Sequence, residues 1–159
     1  MTEHKFNRKP YYNIYKPNKK ENAGAALQFS YDENKRGIFL EAAKQQGGRL
    51  PIGSKEQFDW NRKIVFKIGT ADIGQLLLLF SRAKNDIACI HKPQVGSHTS
   101  VLEIKKQTGD YDNYRLQLSK TTLQDGEKST QSIALYIDHA EMAILAHFVR
   151  ECLTRMLGF

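Results

Sequence analysis

The stretch FDWNRKIVFKIGTADIGQLLLLF, Phe58–Phe80, joins a strand pattern to a helix pattern and decides the fold class. Apolar and polar residues alternate from Phe58 to Ile68, which predicts a β-strand with one buried face. From Thr70 onward, apolar residues recur every three or four positions, which predicts an amphipathic helix. Thr70 is a favourable N-cap, and Asp72 in the first turn suits the positive end of the helix dipole.

Strand patterns occur in three segments before this stretch and in four after it, separated by turn-forming residues. The predicted strands are Tyr11–Lys16, Ala25–Asp32, Gly37–Gln45, Phe58–Ile68, Ile87–Lys92, Ser100–Gln107, Tyr114–Thr121 and Ser132–Ile137. A second helix is predicted from His139 to about Leu157. Asp138 and Glu141 form a capping-box pattern at its start.

The order of elements is therefore four strands, a helix, four strands and a helix. Short strands joined by tight turns form antiparallel sheets, because parallel strands need long crossover connections. We predict an α+β fold with two four-stranded antiparallel sheets and two helices, in a single domain over residues 11–159. Residues 1–10, MTEHKFNRKP, are predicted to be a basic flexible arm.

The excess positive charge is confined to the first half of the chain. The net charge of the 159 residues is +7. Residues 1–69 hold 14 Lys and Arg against 7 Asp and Glu, whereas residues 70–159 hold 10 of each class. Such an asymmetry indicates a polyanionic partner, with a merely solvated basic surface as the alternative.

The cysteines, the apolar runs and the N-terminus indicate the cellular compartment of the protein. Cys89 and Cys152 lie in apolar contexts and are predicted to be buried free thiols in a reducing compartment. No apolar run approaches the ~20 residues that a membrane span needs, and the basic N-terminus lacks a secretory signal. The expected localisation is cytoplasmic or nucleoid-associated, or an organelle matrix if a transit peptide has been removed.

Two segments, Phe58–Gly74 and Ile133–Phe159, resemble the Whirly family of single-stranded-DNA-binding proteins. FDWNRKIVFKIGTADIG, Phe58–Gly74, is similar to the family's aromatic-Asp-Trp, basic, Val-Phe and Ile-Gly signature. IALYIDHAEMAILAHFVRECLTRMLGF, Ile133–Phe159, is similar to its last strand, capped helix and closing Leu-Gly-aromatic. The family's Lys-Gly-Lys-Ala-Ala-Leu segment is interrupted here by PNKKENAG after Lys16. The chain looks like a prokaryotic, viral or organellar relative of the plant members.

The resemblance implies two sheets packed crosswise and a homotetramer with its helices at the subunit interface. It also implies that single-stranded DNA lies along the sheet edges and between neighbouring protomers, although some mitochondrial relatives bind RNA instead. The apolar stripe of the last helix is broader than one small pair of sheets needs. Its predicted subunit contacts are Leu145, Phe148, Val149, Cys152, Met156 and Leu157.

Binding of single strands needs cations along a groove and aromatic faces for the bases, and the first half of the chain interleaves the two. The predicted binding residues are Tyr15, Lys16, Lys19, Lys20, Phe29, Tyr31, Lys35, Arg36, Phe39, Trp60, Arg62, Lys63 and Lys67. The second sheet would add Lys105, Arg115 and Lys120. Core packing is the alternative for Phe29, Phe39 and Trp60. The first residues of the fourth strand are expected to be free to bend or bulge, which would turn the Trp60 ring toward the sheet edge.

The sequence indicates a binding protein and no enzyme. It has no phosphate-binding glycine loop, nucleophile elbow or HExxH motif, and His91 and His98 lack further ligands at zinc spacing. No cofactor or metal is expected. The predicted function is binding of single-stranded DNA with weak sequence preference, to protect or organise single strands in replication, repair or recombination. RNA binding or annealing by the same fold remains an alternative, as does a structural oligomer that binds no nucleic acid.

Overall fold

The computed structural model describes most of the chain, namely residues 9–18, 23–46, 57–92, 98–110 and 112–158. Of the predicted basic arm, only Lys9 and Pro10 fall within these ranges. Two of the predicted binding residues, Lys19 and Lys20, lie outside the described residues.

The described residues form two four-stranded antiparallel sheets and two α-helices, in the predicted order. The strands are β1 (Tyr11–Lys16), β2 (Ala25–Asp32), β3 (Gly37–Lys44), β4 (Ile64–Ile68), β5 (Asp86–His91), β6 (His98–Lys106), β7 (Tyr114–Gln124) and β8 (Glu127–Ile137). The helices are α1 (Thr70–Phe80) and α2 (His139–Leu157). Strands β1-β2-β3-β4 form sheet 1 and strands β5-β6-β7-β8 form sheet 2, each in sequence order. The predicted fold class is confirmed.

The two sheets and both helices share one hydrophobic core. Alternate side chains of each strand point inward, so that Leu27 and Phe66 of sheet 1 meet the same core as Leu116 and Leu118 of sheet 2. Each of these four side chains is at most 1% exposed. Burying one such side chain stabilises the fold by about 1.5–3 kcal/mol. The intervening residues of each strand form an outer face, turned away from the core.

The hairpin between β7 and β8 is longer than predicted. Its strands reach Gln124 and Glu127, so that only Asp125 and Gly126 remain as the turn. Both turn residues have positive φ, 53° and 81°, which is the backbone conformation that an Asp-Gly pair favours in two-residue hairpins. Pairing therefore continues through polar residues that lack a hydrophobic alternation, and the end of the hairpin extends past the core.

The two helices begin in different ways. Helix α1 has Gly69 at its N-cap position, one residue before the predicted Thr70. The Gly69 N–H donates to Asp72 Oδ2 at 2.9 Å, so the carboxylate satisfies an otherwise unpaired donor at the helix start. Helix α2 begins as predicted, because Asp138 and Glu141 each accept a hydrogen bond from the other's backbone N–H, at 2.7 and 3.1 Å.

The apolar stripe of α2 packs inside the protomer, which corrects the predicted subunit contacts. The core takes up Leu145, Phe148, Val149 and Cys152. None of these four is more than 8% exposed, and Met156 packs against the same core. Both sheets and α1 need this stripe as one wall of their common core. Of the six predicted contacts, Leu157 alone is largely exposed, at 52%.

Both cysteines are buried free thiols, as predicted. Desolvation on burial raises the pKa of Cys89 to about 12 and that of Cys152 to about 11. Both side chains therefore stay protonated at neutral pH, and they are poor nucleophiles because the thiolate is the reactive form.

Candidate nucleic-acid interface

The outer face of sheet 1 carries aromatic and basic side chains in register. Strand alternation places Tyr11, Phe39 and Lys67 on this face, since the residues beside them in each strand point toward the core. Antiparallel pairing aligns Tyr11 with Ser30, Ser30 with Phe39, and Phe39 with Lys67. The row crosses all four strands, a width of about 14 Å at ~4.8 Å per strand. It presents two rings and one ammonium group on a single surface.

A second group of rings lies farther along the same face. Tyr15, Ala26 and Ala43 are aligned across three strands, and the two small alanines leave room for rings above them. Phe58 fills this room, and its ring stacks on that of Tyr15 with centroids 5.8 Å apart. Trp60 packs against the same cluster. Tyr15 is 38% exposed and Trp60 is half-buried, so this aromatic cluster (Tyr15, Phe58 and Trp60) keeps ring surface in contact with solvent.

Trp60 lies outside the main core because the chain leaves the strand conformation before β4. Residues Trp60–Arg62 form a 3-10 turn, which breaks the alternation that would otherwise align Trp60 with Ile64 and Phe66. The strand predicted over Phe58–Ile68 is therefore shorter and starts at Ile64. We predicted that a bend or bulge would interrupt the strand near Trp60. In the structure the interruption is the 3-10 turn of Trp60–Arg62.

Cationic side chains flank these rings. Lys35 Nζ lies 5.4 Å from the centroid of the Phe39 ring, within cation–π distance. Lys63 Nζ lies 2.7 Å from Glu41 Oε1. Arg62 lies 3.7 Å from Asp59 and its side chain is 86% exposed. Exposed ion pairs of this kind contribute at most about 1 kcal/mol, so a phosphate group competes easily with the carboxylates.

Phe29 and Tyr31 do not reach this face, which corrects their prediction as base-stacking residues. They are 1% and 2% exposed. Both have inward parity in β2, and the Phe29 ring meets Phe148 of α2 edge-on with centroids 6.4 Å apart. Nor does Tyr31 lie at a sheet edge, because β2 is an interior strand with neighbours on both sides.

Lys16 and Arg36 are separated from the aromatic rows. Lys16 has inward parity, and its Nζ donates to Glu141 Oε1 at 2.5 Å, which connects the end of β1 to the start of α2. Arg36 lies in the turn between β2 and β3, with φ 45°, and is exposed. The structure therefore brings Tyr15, Lys35, Phe39, Trp60, Arg62, Lys63 and Lys67 to the face or border of sheet 1, and leaves these two basic residues beside it.

A groove of about 580 Å³ separates this end of sheet 1 from the β7–β8 hairpin. The described residues that line it all have polar or charged side chains, namely Lys44, Gln45, Gln46, Asp59, Arg62 and Gln131. Gln131 Nε2 donates to the Arg62 carbonyl oxygen at 2.6 Å, which fixes the hairpin to the 3-10 turn. Lys120 pairs with Gln131 in the ladder, so it approaches the Arg62 region from sheet 2. Sequence reasoning missed Lys44 and Gln131, although the Asp-Gly turn signals the long hairpin.

The other basic candidates of sheet 2 lie on its own outer face. Lys105 and Arg115 are paired in register, between Asp86 on one side and Tyr136 on the other. Arg115 Nη1 donates to Gln117 Oε1 at 2.6 Å, and Tyr136 is 53% exposed. This row carries one carboxylate, two cations and one ring, whereas the Tyr11–Phe39–Lys67 row of sheet 1 carries two rings and one cation. The row of sheet 2 is therefore the less aromatic of the two.

Two aromatic residues of the interface, Tyr11 and Phe58, were not among the predicted site residues. Tyr11 is 61% exposed and shares the parity of Tyr15 in β1, so the alternation that placed one of them outward also places the other. Phe58 carries no such signal. Its role depends on the small side chains of Ala26 and Ala43, which come from two other strands.

Within the described ranges, no three His, Cys, Asp or Glu side chains are grouped so that they could hold a metal ion. In the same part of the chain, no helix is long and apolar enough to cross a membrane.

Comparison with known proteins agrees with this architecture. A sequence profile of the family described as "Whirly transcription factor" matches residues 30–148, whereas no curated protein matches the chain by sequence. The fold is similar to that of WHY1 from Arabidopsis thaliana, at 21% identity and a TM-score of 0.69, over 95% of this chain and 92% of that one. WHY3 from Arabidopsis thaliana gives 23% identity and a TM-score of 0.70, over 94% and 89%. The MRP1/MRP2 structure from Trypanosoma brucei is 13% identical in sequence, with a TM-score of 0.67 over 97% of this chain and 90% of that one. Because the profile matches most of its length, this chain belongs to the Whirly family.

Proposed function

We propose that the protein binds single-stranded DNA with weak sequence preference through the outer face of sheet 1. The observation that carries this proposal is the Tyr11–Phe39–Lys67 row beside the Tyr15 and Trp60 rings. Every base has a π-face, so stacking contributes about 1–3 kcal/mol per base whatever the sequence. The lysines and Arg62 add attraction to phosphates by releasing counterions.

The geometry favours a single strand over a duplex. Rings on a sheet face can meet only bases that have left their own stack, which is the normal state of a single strand. A duplex reader instead places a helix with base-contacting side chains in the major groove. The apolar side of α2 is in the core, and the exposed side chains of α1 offer no row of Arg, Asn or Gln. Membership in a family of nucleic-acid-binding proteins supports nucleic acid as the ligand.

The proposed cellular role is protection or organisation of transiently single-stranded DNA during replication, repair or recombination. Such a role needs broad binding and no catalysis, and it suits a cytoplasmic or nucleoid-associated protein. The polar groove lined by Lys44 and Arg62 would let the strand continue from sheet 1 toward the β7–β8 hairpin. Lys120 would then contact the same strand from sheet 2.

We also propose that the protein is a homotetramer. The predicted contacts of α2 are internal, but Leu78 of α1 and Ile144 of α2 remain 37% and 53% exposed. Light scattering should give four times the protomer mass. Ile144→Asp should lower that mass, whereas the matched change at Leu123, which is 47% exposed on the hairpin, should not. A wild-type monomer at micromolar concentration would refute the assembly.

The test of binding is a fluorescence anisotropy titration with single-stranded DNA, single-stranded RNA and duplex DNA of matched sequence. Single-stranded DNA should bind more tightly than duplex, and a logarithmic plot of affinity against salt should fall with a slope of about −0.7 per phosphate neutralised. Bound DNA should quench the fluorescence of Trp60, the chain's one tryptophan. Tighter binding of RNA would establish the alternative ligand, and equal binding of duplex would refute the proposal.

A further inference from the structure

A second groove, of about 510 Å³, lies where the open edge of sheet 1 meets the open edge of sheet 2. Strand β4 is the last strand of sheet 1 and β5 is the first of sheet 2, so among the described residues each has a sheet neighbour on one side only. The groove is lined by Val65, Phe66, Lys67, Ile90, His91, Lys92, His98 and Ser100. Because Lys67 belongs both to this groove and to the outer face of sheet 1, the two surfaces are continuous.

The imidazole of His91 is fixed in this groove by two neighbours. Its Nε2 lies 2.8 Å from Asp72 Oδ2, and Asp72 is itself 9% exposed and bound to the Gly69 N–H. Its ring lies flat on that of Phe66, with centroids 4.1 Å apart and planes 20° apart. Phe66 is 1% exposed and belongs to the core. The core ring therefore supports one face of the imidazole, while the carboxylate sets its rotation.

What remains of His91 faces the groove, since its side chain is 37% exposed although one ring face and one nitrogen are occupied. The neighbours of this exposed surface suit a nucleotide. Val65 and Ile90 are 43% and 59% exposed and offer apolar walls. Lys67 and Lys92 offer cations on the β4 and β5 sides of the groove.

We propose that the groove holds one nucleobase of a bound single strand, stacked on the free face of His91, with Lys67 and Lys92 contacting the adjacent phosphates. The stack would then run from Phe66 through His91 to the base. The inference rests on the proposed function, because it extends the strand on sheet 1 around the edge at β4. It assigns to His91 a direct contact with ligand, beyond its bond to Asp72.

Two substitutions separate stacking from a structural role. His91→Gln removes the ring but keeps a side-chain N–H for Asp72. His91→Phe keeps a ring but removes the imidazole donor, so that of these two donors Asp72 retains the Gly69 N–H. Stacking predicts that His91→Gln lowers the affinity for a fluorescein-labelled oligothymidine about tenfold, the loss expected for one stacked base, while His91→Phe binds as the wild type does. A purely structural role predicts the reverse order, with His91→Phe binding the oligothymidine more weakly than His91→Gln does.

A cross-linking measurement on the wild type makes the test independent of how the variants fold. An oligonucleotide carrying 5-iodouracil is bound and irradiated, and the modified peptides are identified by mass spectrometry. Modification of the peptide containing His91 supports the proposal. Modification confined to Tyr11, Tyr15 or Trp60, or unchanged affinity in a folded His91→Gln variant, overturns it but leaves the function on sheet 1 intact. Absence of any binding to the wild type would overturn both.

Discussion

The two sheets have the same strand order and direction, yet their outer faces differ. Sheet 1 presents Tyr11, Tyr15 and Phe39 outward, and Trp60 lies beside them. The row of sheet 2 that contains Lys105 and Arg115 carries one ring, that of Tyr136. The inner faces, by contrast, are equally apolar and form one core. Folding therefore requires apolar residues at the inward-pointing positions of both sheets. The outward-pointing positions of sheet 1 remain available for binding.

The charge distribution follows the same division. Residues 1–69, which contain sheet 1, hold the whole excess of 7 positive charges, and residues 70–159 are neutral overall. Carboxylates accompany cations on both sheets, as in the Lys63–Glu41 and Lys105–Glu103 pairs. The expected difference in attraction for a polyanion therefore comes from the net charges of the two halves of the chain, which favour the first half.

The largest expected effect is a difference in stability between substitutions on the buried face and on the outer face of sheet 1. Phe29→Ala should lower the free energy of unfolding by about 3–5 kcal/mol, because it empties a buried site in the shared core. Phe39→Ala, in the next strand but on the outer face, should lower stability far less and should weaken DNA binding instead. Chemical denaturation and anisotropy titration measure the two quantities.

One result would contradict this prediction. If folded Phe39→Ala binds DNA as tightly as the wild type, the outer face of sheet 1 is not the binding surface. The control is Leu116→Ala in sheet 2, which should lose about 2–5 kcal/mol of stability by the same cavity mechanism.

A smaller effect is expected from a matched pair of exposed tyrosines, one on each sheet. Tyr15→Ala should lower the affinity for single-stranded DNA by about 1–3 kcal/mol, since it removes one stacking surface of the aromatic cluster. Tyr136→Ala removes the same side chain from the outer face of sheet 2 and should leave the affinity unchanged. Equal losses in the two variants would show that both sheets hold the strand.

Most of the architecture could be predicted from local patterns. Alternation identified the strands, because each sheet buries only one of its faces. The Asp138–Glu141 pair marked the start of α2 because its two hydrogen bonds are made within one turn of chain. Polar turns between short strands then required antiparallel pairing. All of these signals arise from residues close together in sequence.

The errors arose where a residue's environment depends on distant parts of the chain. Alternation shows that the side chains of Phe29 and Gln28 point to opposite faces of the sheet. Which of the two faces is buried depends on the elements that pack against it, and these come from distant parts of the chain. Likewise, the stripe of α2 shows that Val149 needs a partner without showing whether that partner is a sheet or another subunit. The contact of Phe66, Asp72 and His91 joins three elements, and no spacing in the sequence signals it.

The smallest expected effect concerns single lysines, and it sharpens the contrast between the sheets. Lys67 stands beside Phe39 in the outer row of sheet 1 and also lines the groove at β4. Lys67→Gln should remove about one phosphate contact and so reduce the salt slope of binding by about 0.7. Lys105→Gln removes an exposed charge from sheet 2, where Glu103 and Asp86 already oppose it, and should leave the slope unchanged. Titrations at several salt concentrations measure both slopes. A larger change for Lys105→Gln than for Lys67→Gln would move the phosphate path to the second sheet.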